Sequence, residues 1–149
     1  MTFQASRRSY TLDAEMEFKD AGLVAASAAA QVDGSNKIVN VGNAFMQGVM
    51  VIDISAIEIA SNTEHYRILV QGSTSATFAD TIETLAALDL GATEVRDGGA
   101  QDSTTGRYEL PFMNVQNGVV YPYLRVYTFV AGDIATGINY TANAGVLHG

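Results

Sequence analysis

The chain has 149 residues, 48% of them hydrophobic, and its sixteen acidic and eight basic side chains give a formal charge of −8. That apolar content supplies a core for one domain without metal or disulfide and excludes a wholly disordered chain. The absence of cysteine removes disulfides and thiolate chemistry. The scattered basic residues lack the cluster that phosphate backbones require, and the acidic balance resists anionic membranes. Neither nucleic acid nor membrane is therefore expected as a partner.

In chain order, residues 1–36 differ from the rest. Leu12, Ala14, Met16 and Phe18 recur at period two, with Asp13, Glu15 and Glu17 opposite, which favours an extended segment. The alanine-rich stretch Ala21–Ala30 has helix propensity, so a short helix within Leu12–Ala30 is the competing reading. The charges from Asp13 to Asp20 also interrupt any apolar signal-peptide core. These features predict an N-terminal arm over 1–36, a turn at Asp33-Gly34, and a compact domain over 37–149. Removing residues 1–18 is then expected to leave that domain folded.

Strand signals dominate the remainder. Lys37–Val41 is a short run. Val49–Ile59 places Met50, Ile52, Ile54 and Ala56 on one face and Val51, Asp53, Ser55 and Ile57 on the other. Its length and its charges rule it out as a membrane span. Tyr66–Gln71 alternates again. Thr77–Leu90 fits either a strand or a short surface helix. Glu94–Thr105, with Asp97-Gly98-Gly99, reads as a loop. Tyr108, Leu110 and Phe112 then alternate with Arg107, Glu109 and Pro111, and Asn117-Gly118 is a strong hairpin signal. Tyr123–Val130, ending at Gly132-Asp133, and Ile138–Leu147 complete the set. The pattern predicts an all-β fold, an antiparallel β-sandwich or barrel with an extended N-terminal arm.

Reactive chemistry is sparse. His65 and His148 are the two histidines, and Glu64-His65-Tyr66 would need a pocket to act as an acid-base trio. Asp97 and Asp102 lack the spacing of an EF-hand loop, although a calcium ion between subunits is compatible with them. Glu15 with Glu17, and Glu58 with Glu64, are carboxylate pairs without a predicted cleft. No phosphate loop and no nucleophile elbow occurs. The expectation is a non-enzymatic protein with no catalytic residue, metal or cofactor. Interface chemistry is better represented. Phe3, Tyr10, Leu12 and Phe18 on the arm suit docking onto its own domain or a neighbour, with Arg7 and Arg8 as a solvated or partner-contacting end. Tyr121, Tyr123 and Arg125 around Pro122 suit either a protein interface or packing on the domain itself.

These residues carry a resemblance. Leu12-Asp13-Ala14, Phe18-Lys-Asp20-Ala21, the small residues Ala25–Ala30, Ile38-Val-Asn-Val41-Gly42 and above all Tyr123-Leu-Arg-Val-Tyr-Thr128 lead through Gly132 and Thr136-Gly137 to Ala144-Gly-Val-Leu147. Together they resemble the capsid cement, or decoration, proteins of tailed bacteriophages, in particular the Bordetella-phage type. The resemblance spans nearly the whole chain, although each motif records strand packing or a turn. It implies a jelly-roll sandwich on the outer surface of the virion head, made in the host cytoplasm, that bridges subunits of the major capsid protein and associates with itself as a dimer or trimer. It also implies that residues 3–20 form a contact arm. The chain departs from the family pattern by extra residues before Leu12 and an insertion around Glu94–Gly106, which leaves the shell position open. The alternatives are another virion component, such as a head-fibre base or tail protein, a carbohydrate- or ligand-binding β-sandwich, and, last, a small hydrolase.

Overall fold

Alternation of apolar and polar residues builds two antiparallel sheets packed face to face, and on the central strand near Val49 (0% exposed) and Val51 (1% exposed) the outer face is covered as well. The computed structural model describes residues 9–148, with side chains over residues 16–145. In chain order the strands are β1 (Ser9–Lys19), β2 (Leu23–Val24), β3 (Ala28–Ala29), β4 (Gln31–Val32), β5 (Ser35–Asn36), β6 (Val39–Asn40), β7 (Gln47–Ile57), β8 (His65–Ser73), β9 (Glu83–Gly91), β10 (Gly106–Met113), β11 (Val115–Gln116), β12 (Val119–Val120), β13 (Tyr123–Ala131) and β14 (Ile138–His148). A single 3₁₀ turn at Thr93–Val95 is the one helical element among the described residues.

The first sheet runs β1-β14-β7-β10, with β2 also on β14; the second runs β3-β13-β8-β9, with β6 also on β13. With β3 and β6 sharing one strand position, this is the eight-position order of a jelly roll, in which the chain changes layer between successive positions except at the β8–β9 hairpin. The fold is therefore all-β, as expected. The core lies between the layers, where Met50, Ile52, Tyr66, Ile68, Val70, Leu124, Val126, Ile138 and Tyr140 are each 0% exposed. Thr128 Oγ1 and Tyr140 Oη share a 2.5 Å hydrogen bond across it. Burial holds the Tyr140 hydroxyl protonated, well above its usual pKa.

Turn residues acted where they stand. Asp33-Gly34 (φ 53° and 79°) closes the β4–β5 ribbon, and Asn117-Gly118 (φ 53° and 77°) closes β11–β12. Positive φ at both central residues is what a two-residue type I′ turn requires. The Asn117-Gly118 hairpin nevertheless does not pair its long neighbours, since β10 and β13 belong to different sheets. Thr77–Leu90 resolves into a loop and then β9; Phe78 (φ 56°) and Thr81 (φ 51°) interrupt it before a strand can begin.

The division at residues 36 and 37 differs from expectation. Residues 9–36 belong to the sandwich. β1 pairs with β14 from Ser9↔His148 to Lys19↔Ala142, with a bulge that sets Asp13–Met16 against Ala144. Phe18 is 0% exposed in the main core, so it packs inside the domain and is not a docking residue. The period-two alternation that argued against a helix is the alternation of this strand. Lys19 closes it: its Nζ donates to the carbonyls of Asp20 (3.0 Å), Gly22 (3.1 Å) and Tyr140 (2.8 Å), while desolvation pulls its pKa below the ordinary value.

Candidate docking surface

The registers sort the loops between the two ends of the sandwich. Ser9↔His148, Gly48↔Val146, Gln47↔Met113 and Ser73↔Tyr123 put the starts of β1, β7, β9 and β13 at one end, with the finishes of β8, β10 and β14. The loops there are 41–46, 74–82 and 114–122. Asp80 is the one charged residue in these 24 positions, whereas the opposite loops carry Asp20, Glu58, Glu64, Glu94, Arg96, Asp97, Asp102 and Asp133. Of seven exposed large apolar side chains among the described residues, four sit at the near-neutral end: Phe45 (57%), Ile82 (45%), Met113 (42%) and Val119 (42%).

Asn114 holds these groups together. It is 0% exposed, and its Oδ1 accepts from Met46 N at 2.8 Å. Its Nδ2 donates to Ala44 O at 3.0 Å and to Tyr121 O at 3.4 Å, and its carbonyl accepts from Tyr121 N at 2.8 Å. One amide thus fixes the segment bearing Phe45 against the hairpin bearing Val119, with Met113 between them in the chain. Gln116 Nε2 donates to Glu83 Oε1 at 2.6 Å, which draws the same hairpin towards Ile82. In the 74–82 loop, Ser73 Oγ donates to Asp80 O at 2.7 Å and Ser75 N donates to Ser73 Oγ at 3.0 Å. These bonds let the loop turn Phe78 inward, at 6% exposure, and leave Ile82 outside.

The sequence-predicted residues divide in three ways. Phe3, Arg7 and Arg8 lie outside the described residues. Tyr10 and Leu12 pair through the backbone with Leu147 and Gly145 beside the same end, in a strand rather than an arm. Tyr121 and Tyr123 are half-buried there. A Cβ on Gly72 would lie 2.8 Å from Tyr121 Cβ, so Tyr121 packs over that glycine and plugs the end of the core. Arg125 faces outward from the second sheet, where its Nε donates to Gln71 Oε1 at 2.9 Å and its guanidinium lies 4.4 Å over the Phe78 ring. Desolvation lowers its pKa, with Tyr127 opposing the shift. Arg125 therefore braces the 74–82 loop. Phe45, Ile82 and Val119 were not legible as surface residues, because alternation does not extend past a strand's last pair, whereas Met113 continues the outward set of Arg107, Glu109 and Pro111 on β10.

The candidate catalytic groups do not converge. Glu64 is 0% exposed; desolvation pushes its pKa up, but hydrogen bonds, first from Ser61 N (2.8 Å), then from its own backbone N–H and the Ser61 side chain, and last from Thr63 N (3.1 Å), more than offset this and leave it lowered. His65 turns outward to Asp89, 2.5 Å from its Nε2, and Tyr66 Oη donates to Glu58 O at 2.9 Å. Desolvation, with Glu58 and Glu64 nearby, pushes the Tyr66 hydroxyl up to about 12. Glu58 accepts from Gly137 N (2.9 Å), Thr136 N (2.6 Å) and Ala135 N (3.0 Å), which brings its carboxyl down to about 2. Glu64 clamps its own loop, and Glu58 clamps the neighbouring loop 132–137. Asp102 likewise accepts from Thr93 N at 2.8 Å, and among the described residues no group of three or more His, Cys, Asp or Glu could hold a metal ion. A recess of about 500 Å³ beside Ala25–Ala30 is lined by small side chains and by the already bonded Lys19. Among the described residues no helix is long and apolar enough to cross a membrane.

No protein-family model matches the chain, and no curated protein matches it. Among solved structures it is similar to Clostridium thermocellum endo-1,4-beta-D-xylanase 10B, in a crystal structure of CBM22-1–GH10 modules complexed with xylohexaose. The identity is 11% and the TM-score 0.40, over 97% of this chain and 29% of that one. A likeness at this level carries no functional argument.

Proposed function

We propose that this chain is a structural virion protein that decorates the outer surface of a tailed-phage head and cements adjacent major capsid subunits. The observation that carries the reading is the end of the jelly roll formed by loops 41–46, 74–82 and 114–122. There, charge is depleted and Phe45, Ile82, Met113 and Val119 stand exposed beside Tyr121 and Tyr123. Interface cores show that combination, with charged residues depleted and aromatics and methionine enriched. The resemblance of Tyr123–Thr128 and the C-terminal strands to capsid cement proteins supplies the partner. A protein that binds the assembled shell better than free subunits opposes disassembly by mass action, and copies repeated over the lattice add their effects. Co-sedimentation with shells of the major capsid protein from the same genome tests this. The chain should pellet with the shells, and the double variant Phe45→Asp, Val119→Asp should stay in the supernatant while keeping its fold. Equal pelleting of the two proteins would refute the assignment.

One further observation favours a second reading, a carbohydrate-binding sandwich. Phe129 (38% exposed), Arg67 and the His65–Asp89 pair stand together on the outer face of the second sheet. A ring to stack on, with donors and acceptors around it, suits a sugar. A glycan screen in which Phe129→Ala abolishes every hit would favour that reading.

A further inference from the structure

We propose that Arg125 is a preorganised receptor for one carboxylate, an aspartate or glutamate side chain of a protein partner, which its two Nη groups meet side by side. This contact is distinct from the apolar docking end and does not depend on which partner that end takes.

The position follows from register. Side chains on β13 alternate across the second sheet, so Leu124 and Val126 enter the core at 0% exposure and Arg125 stands outside. Gln71, 9% exposed, is its cross-strand neighbour on β8, and Gln71 Oε1 accepts from Arg125 Nε at 2.9 Å. The guanidinium lies 4.4 Å from the centre of the Phe78 ring and 5.4 Å from that of Tyr127. Phe78 is itself 6% exposed, in a loop that Ser73 fastens through the Asp80 carbonyl at 2.7 Å. One hydrogen bond and two rings thus hold the plane of the fork before any ligand arrives.

The fork lacks an anion. Among the described residues, no hydrogen bond or ion pair reaches either Nη of Arg125. Other cations are already engaged: Arg107 with Asp53, Arg67 facing Asp89 at 3.8 Å, Arg96 on the Gln101 carbonyl and Lys19 on three carbonyls. Lys37 also has no partner among the described residues, but neither a ring nor a hydrogen bond holds its ammonium. Desolvation lowers the Arg125 pKa, and Tyr127 opposes the shift where no carboxylate of this chain does. In a chain with sixteen acidic and eight basic residues, a half-buried arginine left without an acid is the exception.

A planar fork matches the two oxygens of a carboxylate, and pairing offsets the hydration that partial burial has removed. A single cation on a chain of net charge −8 disfavours a phosphate dianion. The β13 backbone is engaged by β8 on one side and by β3 and β6 on the other, so it offers no nest of N–H groups for a chain terminus. An acidic side chain is the ligand that remains. Arg125 stands two positions along β13 from Tyr123, where a polar rim contact beside the apolar end would fix a partner's orientation.

Nuclear magnetic resonance of the isotope-labelled full chain tests the site. Sodium acetate should shift the Arg125 Nε–H signal and the amides of Gln71 and Tyr127 along a saturating, millimolar curve. Sodium chloride at equal ionic strength should not, and the Arg67 and Arg107 Nε–H signals should respond alike to both salts. Arg125→Lys keeps the charge without the fork and should weaken the amide response by about fivefold or more. A capped tripeptide with a central glutamate should bind more tightly than N-acetyl trialanine, whose carboxylate is its terminus. The proposal is overturned if chloride reproduces the acetate shifts or if Arg125→Lys binds acetate like the wild type. Tighter binding of inorganic phosphate than of acetate, or of the trialanine than of the glutamate peptide, overturns it equally.

Discussion

Replacing Asn114 by alanine should loosen the docking end more than its single amide suggests. The side chain is fully buried and serves Met46 N at 2.8 Å, Ala44 O at 3.0 Å and, more weakly, Tyr121 O at 3.4 Å. Alanine leaves two well-made backbone groups without a side-chain partner. A buried polar group stranded in this way costs about 1–3 kcal/mol. Both lie near the end of the sandwich, where water can reach part of the gap, so the sum should fall at about 2–4 kcal/mol. Against a domain stability of roughly 5–15 kcal/mol, that is a large fraction. Urea unfolding should show it as a lower midpoint at unchanged slope. Asn114→Asp should be worse than alanine at neutral pH. It keeps the acceptor for Met46 N but turns a carboxylate towards the carbonyls of Ala44 and Tyr121, and protonation at low pH should recover part of the loss. A measured cost below about 0.5 kcal/mol for Asn114→Ala, the range of an ordinary surface substitution, would refute the view that this amide organises the end.

Four further outcomes follow from the same structure. Phe18→Ala should cost about 3–5 kcal/mol, as for a buried aromatic, and deleting residues 1–18, which removes that side chain with its strand, should unfold the domain; calorimetry checks both. Glu58 sits at about 2 in the folded chain, below its ordinary value of 4.5. Its contribution is therefore complete above about 4.5 and is lost as pH falls from there through about 2. Glu58→Gln should remove that part of the acid dependence, and an unchanged acid limb in pH-dependent melting would refute the clamp. Gly137 has φ 92°, and a Cβ there would lie 2.0 Å from Val24 O, so Gly137→Ala must move backbone and should lower the melting temperature sharply. By contrast the exposed Asp53–Arg107 pair, at 2.8 and 3.1 Å, should tolerate Asp53→Asn with a loss of no more than about 1 kcal/mol.

Much of the layer structure was legible because a strand with one buried face repeats every two residues. Met50, Ile52 and Ile54 on β7 and Tyr66, Ile68 and Val70 on β8 all point where their alternation placed them. Asp33-Gly34 and Asn117-Gly118 close hairpins, since few other residues accept two consecutive positive φ angles, whereas Asp97-Gly98 lies in a loop where only the glycine has positive φ. Thr77–Leu90 was ambiguous because Ile82, Leu85 and Ala86 satisfy helical spacing as well. The choice came from cross-strand bonds to β8, a long-range term that local pattern does not contain.

The candidate site was less accessible to such reasoning. Phe18 and Tyr121 looked alike as aromatics available to a partner; one fills the core and the other stoppers its end over Gly72. Nothing local separates them, because burial depends on which strand arrives alongside.

The amino-acid sequence by itself settled that this chain forms strands, which faces of them are apolar, where two tight turns fall, and that the net charge is −8. These are consequences of side-chain period, of backbone sterics at Asp33-Gly34 and Asn117-Gly118, and of counting. Only the tertiary structure decided that residues 9–36 belong to the sandwich, that three loops with a single charged residue among them meet at one end, and that β9 is left as an open edge. Each of those depends on pairings between residues up to the whole length of the chain apart, such as Ser9 with His148. Such contacts form only when the chain closes long loops to bury apolar surface.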